Sequence, residues 1–163
     1  MKIQRFTANN GFATNVYLAW DEESKKAFLV DPGSGLPGAC ELMEKEDLSL
    51  DYIIITHAHG DHTGGLDYFR EKYPDAKIVA GRAERKMLYN RDLSLGQGGI
   101  IADIETRDGD TLDIGNMHLK FIDCPGHTPG GISVLVNGVL FSGDTLFRCS
   151  VGRTDLPGGD WDT

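Results

Sequence analysis

No stretch of this 163-residue chain is apolar for long enough to cross a bilayer as a helix. Its opening residues, MKIQRFTANNGF, lack the apolar centre of a secretion signal. Cysteine is scarce: Cys40, Cys124 and Cys149 are odd in number and form no CxxC pair. That argues against a disulfide framework. Basic side chains are outnumbered, 16 Lys and Arg against 25 Asp and Glu, for a net charge of −9. Such a deficit argues against nucleic acid or an anionic membrane as the main partner, because neutralising phosphates needs clustered Lys and Arg. Repeats and low-complexity tracts are also missing. These absences leave one cytoplasmic domain over residues 1–163, long enough to bury a real core.

What is present is a mixture of strands and helices. NVYLAW and KAFLV flank the polar turn DEES as a hairpin, and the second strand runs into the loop DPGSG. Residues 37–46, PGACELMEKE, read as a helix with Pro37 in its first turn. YIIIT is a β-branched run of the kind found in strands buried on both faces. GGLDYFREKYP reads as a helix stopped by Pro74. KIVA is a strand, RAERKMLYN a helix, and RDLSLGQGG a loop able to lie over a site. The second half is richer in strands: DTLDIG, MHLKFIDC, GISVLV and GVLFSGD, with Asn137-Gly138 as a tight turn. The strands are too closely spaced for a βαβ repeat, so two sheets with outer helices are expected.

Directly behind YIIIT stands THAHGDHTGG, with three of the five histidines and an aspartate in six positions. His57 and His59 are two apart, so an extended backbone points both imidazoles the same way. Gly60 then lets the chain turn and bring Asp61 and His62 beside them. Imidazole and carboxylate together suit Zn²⁺, Fe or Mn. Further ligands are expected from elsewhere. His127, in CPGHTPGG after the strand FIDC, is one candidate. Asp144, ending the apolar strand VLFSGDT, is the other, since a carboxylate buried there is costly without a cation or hydrogen bonds.

In this order THAHGDHTGG, CPGHTPGG and FSGDTLF resemble the metallo-β-lactamase superfamily, over essentially the whole chain. The nearest branch is the glyoxalase II-like hydroxyacylglutathione hydrolases. The resemblance implies an αββα sandwich with one or two Zn ions at one edge of its sheets, Fe or Mn being alternatives. By motif, His57, His59 and His127 hold the first metal, Asp61 and His62 belong to the second, and Asp144 bridges. Asp31, closing FLVD, matches the family's early acid, either behind the ligands or as a turn residue. The family also takes a histidine for the second metal from a PGHG-like loop near its C-terminus. Here the last residues read LPGGDWDT. The expectation is therefore a C-terminally incomplete sandwich with a second metal short of one ligand.

The chemistry implied is metal-dependent hydrolysis of a small glutathione thioester, with Asp61 orienting the attacking water and accepting its proton. Arg148 and Arg153 either bind the substrate's carboxylates as bidentate donors or are solvated surface residues. Three rivals stand beside this reading. VGRTDLPGG resembles the GRTD stretch of the mononuclear-iron persulfide dioxygenases, for which His57, His127 and Asp144 would be the ligands. β-Lactam hydrolysis fits less well, with no export signal and an Asp at 144 where the commonest secreted zinc lactamases carry Cys. The third is a metal-binding protein without turnover. His118 is expected to be structural, and Cys40 and Cys124 to be packing residues.

Overall fold

KAFLV and the run ending in YIII carry the fold, because both are apolar on successive residues and must be covered on both faces. The computed structural model describes residues 1–163. An antiparallel meander of β1 (Lys2–Thr7), β2 (Asn15–Trp20) and β3 (Lys26–Val30) opens the chain. Helix α1 (Pro37–Glu46) starts on Pro37 and ends at Asp47 in the left-handed region, returning the chain to β4 (Ser49–Ile55), parallel to β3. A single turn, α2 (Gly60–Thr63), and α3 (Leu66–Lys72) lead to β5 (Lys77–Gly81). A 3₁₀ turn (Arg82–Glu84), α4 (Arg85–Tyr89) and α5 (Arg91–Ser94) precede β6 (Ile104–Thr106). The six strands form one sheet in chain order, with β3 to β6 parallel.

The second sheet is an antiparallel meander of β7 (Thr111–Ile114), β8 (Met117–Asp123), β9 (Ile132–Val136) and β10 (Val139–Phe141). Asn137 and Gly138 both have positive φ, as a two-residue hairpin of type I′ demands. A small hairpin of β11 (Leu146–Phe147) and β12 (Ser150–Val151) follows.

Two cores result. Ala27, Leu29, Ile53 and Ile55 face α1, α3 and α4 on the outside of the first sheet. Phe28, Val30, Ile54 and Val79 face inward, against Leu119, Phe121, Val134 and Phe141 of the second sheet. The expected sandwich is thus present, with its helices on the first sheet. The outer face of the second sheet carries no helix of this chain, and Leu135 and Leu140 lie exposed there. Two strands unmarked in the sequence, β1 and β6, close the edges of the first sheet, and α5 sits inside the segment expected to be loop.

Candidate metal centre

β3 and β4 run parallel, so Asp31 and Thr56 leave the sheet at the same end, where open parallel sheets place their sites. Asp31 adopts φ +52°, a conformation that short polar side chains tolerate. Its Oδ1 accepts the Thr56 N–H at 2.7 Å and its Oδ2 the Thr56 hydroxyl at 2.6 Å. The same Oδ2 lies 3.0 Å from Nδ1 of His62, and Nδ1 of His57 lies 3.1 Å from the Thr56 hydroxyl oxygen. With its hydrogen committed to Asp31, that oxygen is an acceptor, so both imidazoles carry their proton on Nδ1. One buried carboxylate therefore turns the Nε2 atoms of two histidines inward, the orienting role that partners of metal-bound histidines play.

Asp31 thus stands behind the ligands. The glycines act by close approach rather than by unusual φ. A Cβ on Gly60 would meet the Leu95 carbonyl and Gly96 Cα at 2.7 Å, and one on Gly33 would overlap the Asp61 carbonyl. Loop 95–96 therefore packs on the histidine turn, as the sequence allowed.

The second sheet supplies the rest. His127 leaves β8 and Asp144 leaves β10, and both reach the same point. His127 Nε2 is 2.9 Å from His59 Nδ1 and 3.7 Å from Asp144 Oδ2. His127 Nδ1 donates to the Arg153 carbonyl at 2.6 Å. His62 Nε2 is 3.2 Å from Asp144 Oδ1 and 3.5 Å from Asp61 Oδ2, and the Thr14 hydroxyl donates to that Asp61 oxygen at 2.8 Å. Two triplets, His57–His59–His127 and His57–His62–Asp144, each have ligand atoms within 4.8 Å of one another. Five of the six expected ligands fall in these triplets, and Asp61 lies against His62.

A metal fits this set. Nε2 of His57 and of His59 are buried with no hydrogen-bond partner, a costly state for a lone pair that has nothing to bind. Burial and the neighbouring histidines hold His57 neutral, well below its ordinary pKa. Burial, then His127, lower His59 to about 4. His62 is the exception. Burial opposes its charge, but Asp31 and Asp144 outweigh burial and lift it to about 10. Burial also works against the charge on Asp144, and His62 overcomes it to hold the carboxyl below its usual range. The neutral imidazoles of His57 and His59 are donors suited to a borderline divalent cation, and His62, cationic between Asp31 and Asp144, joins them by giving up its Nε2 proton.

A groove of about 640 Å³ runs past Asp61, His62 and Asp144, lined also by Phe12, Phe147 and Arg148. Arg153 points elsewhere: its guanidinium makes a bidentate pair with Asp155 at 2.6 and 2.7 Å, and its backbone carbonyl serves His127. His118 is exposed on the second sheet and pairs with Asp113.

A family model described as the metallo-beta-lactamase superfamily matches residues 9–163. The chain belongs to that superfamily. Among relatives within it, the hydroxyacylglutathione hydrolase GloC of Haemophilus influenzae is 30% identical over 162 residues, which are 93% of this chain and 76% of that protein. The human mitochondrial persulfide dioxygenase ETHE1 is 33% identical over 149 residues, 90% of this chain and 53% of that protein. Among solved structures, the BLEG-1 B3 metallo-beta-lactamase superposes with a TM-score of 0.88 at 30% identity, covering 99% of this chain and 80% of that one.

The motif reading named the residues brought together here but missed those that hold them: Thr56, Thr14, Glu84 and Asn10, whose amide donates to the Asp61 carbonyl at 2.7 Å. Thr14, Glu84 and Asn10 carry no local signal because their partners are far away in sequence, and Thr56, though next to His57, is fixed by the distant Asp31.

Proposed function

We propose that the protein is a metal-dependent thioester hydrolase acting in the cytoplasm on S-2-hydroxyacylglutathione-type substrates. The observation that carries this reading is the pair of adjoining triplets His57–His59–His127 and His57–His62–Asp144, with Asp61, His62 and Asp144 in the wall of a groove, in a chain similar to GloC. Zn²⁺, or Fe or Mn in its place, would be held by His57, His59 and His127 at one position and by Asp61, His62 and Asp144 at the other. A divalent metal so held supplies Lewis acidity and makes water acidic enough to ionise near neutral pH.

The chain's own residues do the rest. Asp61 keeps one carboxylate oxygen on Thr14 and the edge of the groove open to water, so it is assigned to hold the attacking water and take its proton. A thiolate leaving group, with a thiol pKa of about 8.5, needs little help from a general acid. Arg148 in the groove wall is assigned to a substrate carboxylate, and Arg153 would join it by exchanging Asp155 for the substrate.

Two other readings have support. The likeness to ETHE1 and the segment VGRTDLPGG favour persulfide oxidation at a single iron held by His57, His127 and Asp144. The likeness to BLEG-1 makes β-lactam hydrolysis worth an arm of the same assay. The test loads the protein separately with Zn²⁺, Fe²⁺ and Mn²⁺. It then follows cleavage of glutathione thioesters, oxygen uptake on glutathione persulfide, and opening of a chromogenic β-lactam. Thioester cleavage in the lead supports the proposal; oxygen uptake in the lead replaces it. Metal uptake with no turnover of any substrate leaves a metal-binding protein.

A further inference from the structure

Glu84 is a fully buried carboxylate that the ligand set does not use. It sits at the end of the 3₁₀ turn after β5, between the two loops that carry the first three histidine ligands. Its Oε1 accepts the N–H of Ala58, the residue between His57 and His59, at 2.8 Å. Its Oε2 accepts the N–H of Gly130, in the loop of His127, also at 2.8 Å. Burial pushes its pKa upward against the pull of those two N–H groups.

The backbone around it leaves no slack. A Cβ on Gly130 would lie 2.0 Å from the Glu84 nitrogen, and one on Gly81 would lie 2.3 Å from the Gly130 carbonyl oxygen. The His127 loop therefore rests directly on the turn that presents Glu84. Besides the facing ligands His59 and His127 themselves, one main-chain bond joins the two segments nearby, from Ile132 N to the Thr56 carbonyl at 2.8 Å. Links at different points fix an angle as well as a distance, and among those made outside the ligands only the Glu84 link depends on a side chain.

We propose that Glu84 is a positioning residue for the first metal position, its carboxylate locking the His57–His59 loop and the His127 loop at one separation. A carboxylate suits this place because both its oxygens accept. A carboxamide offers one acceptor and turns an NH₂ towards the other N–H. The inference rests on the metal centre and is independent of which bond the enzyme cleaves.

The test compares wild type, Glu84→Gln, and Val134→Ala, a variant in the core between the sheets chosen to match the loss of thermal stability. Zn²⁺ affinity is read by competition with a chromophoric chelator. Glu84→Gln is expected to lose on the order of 10–100-fold in affinity, the usual cost of disturbing what orients a ligand. The loss should fall on one Zn²⁺ equivalent, while Val134→Ala keeps wild-type affinity. Unchanged affinity in Glu84→Gln, or an equal loss in both variants, overturns the assignment. Failure of the wild type to take up Zn²⁺ would instead overturn the metal centre itself.

Amide hydrogen exchange in the wild type decides the matter even if Glu84→Gln does not fold. The Ala58 and Gly130 amides should be slow and should open together. Exchange of either at the rate of an exposed loop overturns the proposal.

Discussion

His57, His59 and His62 follow a strand with apolar packing on both faces, whereas His127 and Asp144 follow strands of a sheet packed on one. The first three are 2–5% exposed; His127 is 9% exposed, and the Asp144 side chain 27%. The means of orientation differ too. His57 and His62 are aimed by side chains, Thr56 and Asp31, while His127 is aimed by a main-chain carbonyl of residue 153. Half of the site is thus written in residue identity and half in chain path. Substitutions should damage the two halves very unequally.

The largest effect is expected at Asp31. Asp31→Ala removes the acceptor of the Thr56 N–H, the Thr56 hydroxyl and His62 Nδ1, all of them buried. Breaking a buried ionic network by deleting one partner costs about 3–5 kcal/mol. Urea unfolding should show that loss, with metal uptake abolished alongside it. A loss under about 1 kcal/mol would mean that water replaces the carboxylate, and the contrast between the halves would disappear.

Thr56 comes next. Thr56→Val keeps the shape but leaves His57 Nδ1–H without an acceptor, at about 1–3 kcal/mol and on the order of 10–100-fold in metal affinity. Thr56→Ser keeps the hydroxyl and should keep the affinity. Equal affinities for the Val and Ser variants, in a chelator competition, would show that His57 needs no orienting partner.

The same contrast governs what could be read from the sequence. The six candidate ligands were legible because four of them sit in one short motif behind a β-branched strand, and because His127 and Asp144 each stand in a loop just after a strand. Asp31 was legible as an acid at a strand end but not as the hub of two imidazoles, since Thr56 and His62 are 25 and 31 residues away. Glu84 looked like any helical glutamate; only the meeting of the 3₁₀ turn with the Gly130 loop makes it special. β1 escaped notice because five of its six residues are exposed, and its evidence is the pairing with β2. β6, only three residues long, gives no periodicity to detect.

A smaller effect is expected at Arg148, which lies in the groove wall without a role in the fold. Arg148→Ala should raise KM for a hydroxyacylglutathione about tenfold, as for one lost charge-assisted hydrogen bond, with kcat and metal content unchanged. A fall in kcat at constant KM would move Arg148 from substrate binding to the chemical step.

The smallest effect is expected at Arg153, and it tests the chain-path half of the comparison directly. The bond to His127 comes from the residue's carbonyl, so Arg153→Ala leaves that acceptor in place. Zn²⁺ affinity should stay at the wild-type value, in contrast to Thr56→Val. The side chain has a separate signature. Hydrogen bonding to the Arg153 guanidinium holds the Asp155 carboxyl at about 2. A lowered carboxyl pKa means that the pair contributes at pH values above the ordinary carboxylate range and is lost as the pH falls towards 2. In Arg153→Ala the Asp155 carboxyl should return to the ordinary range, followed by its side-chain NMR shift against pH, while metal affinity at neutral pH does not move. A drop in affinity that tracks the loss of the ion pair would mean that the guanidinium holds the carbonyl in place. His127 would then depend on residue identity as much as His57 does.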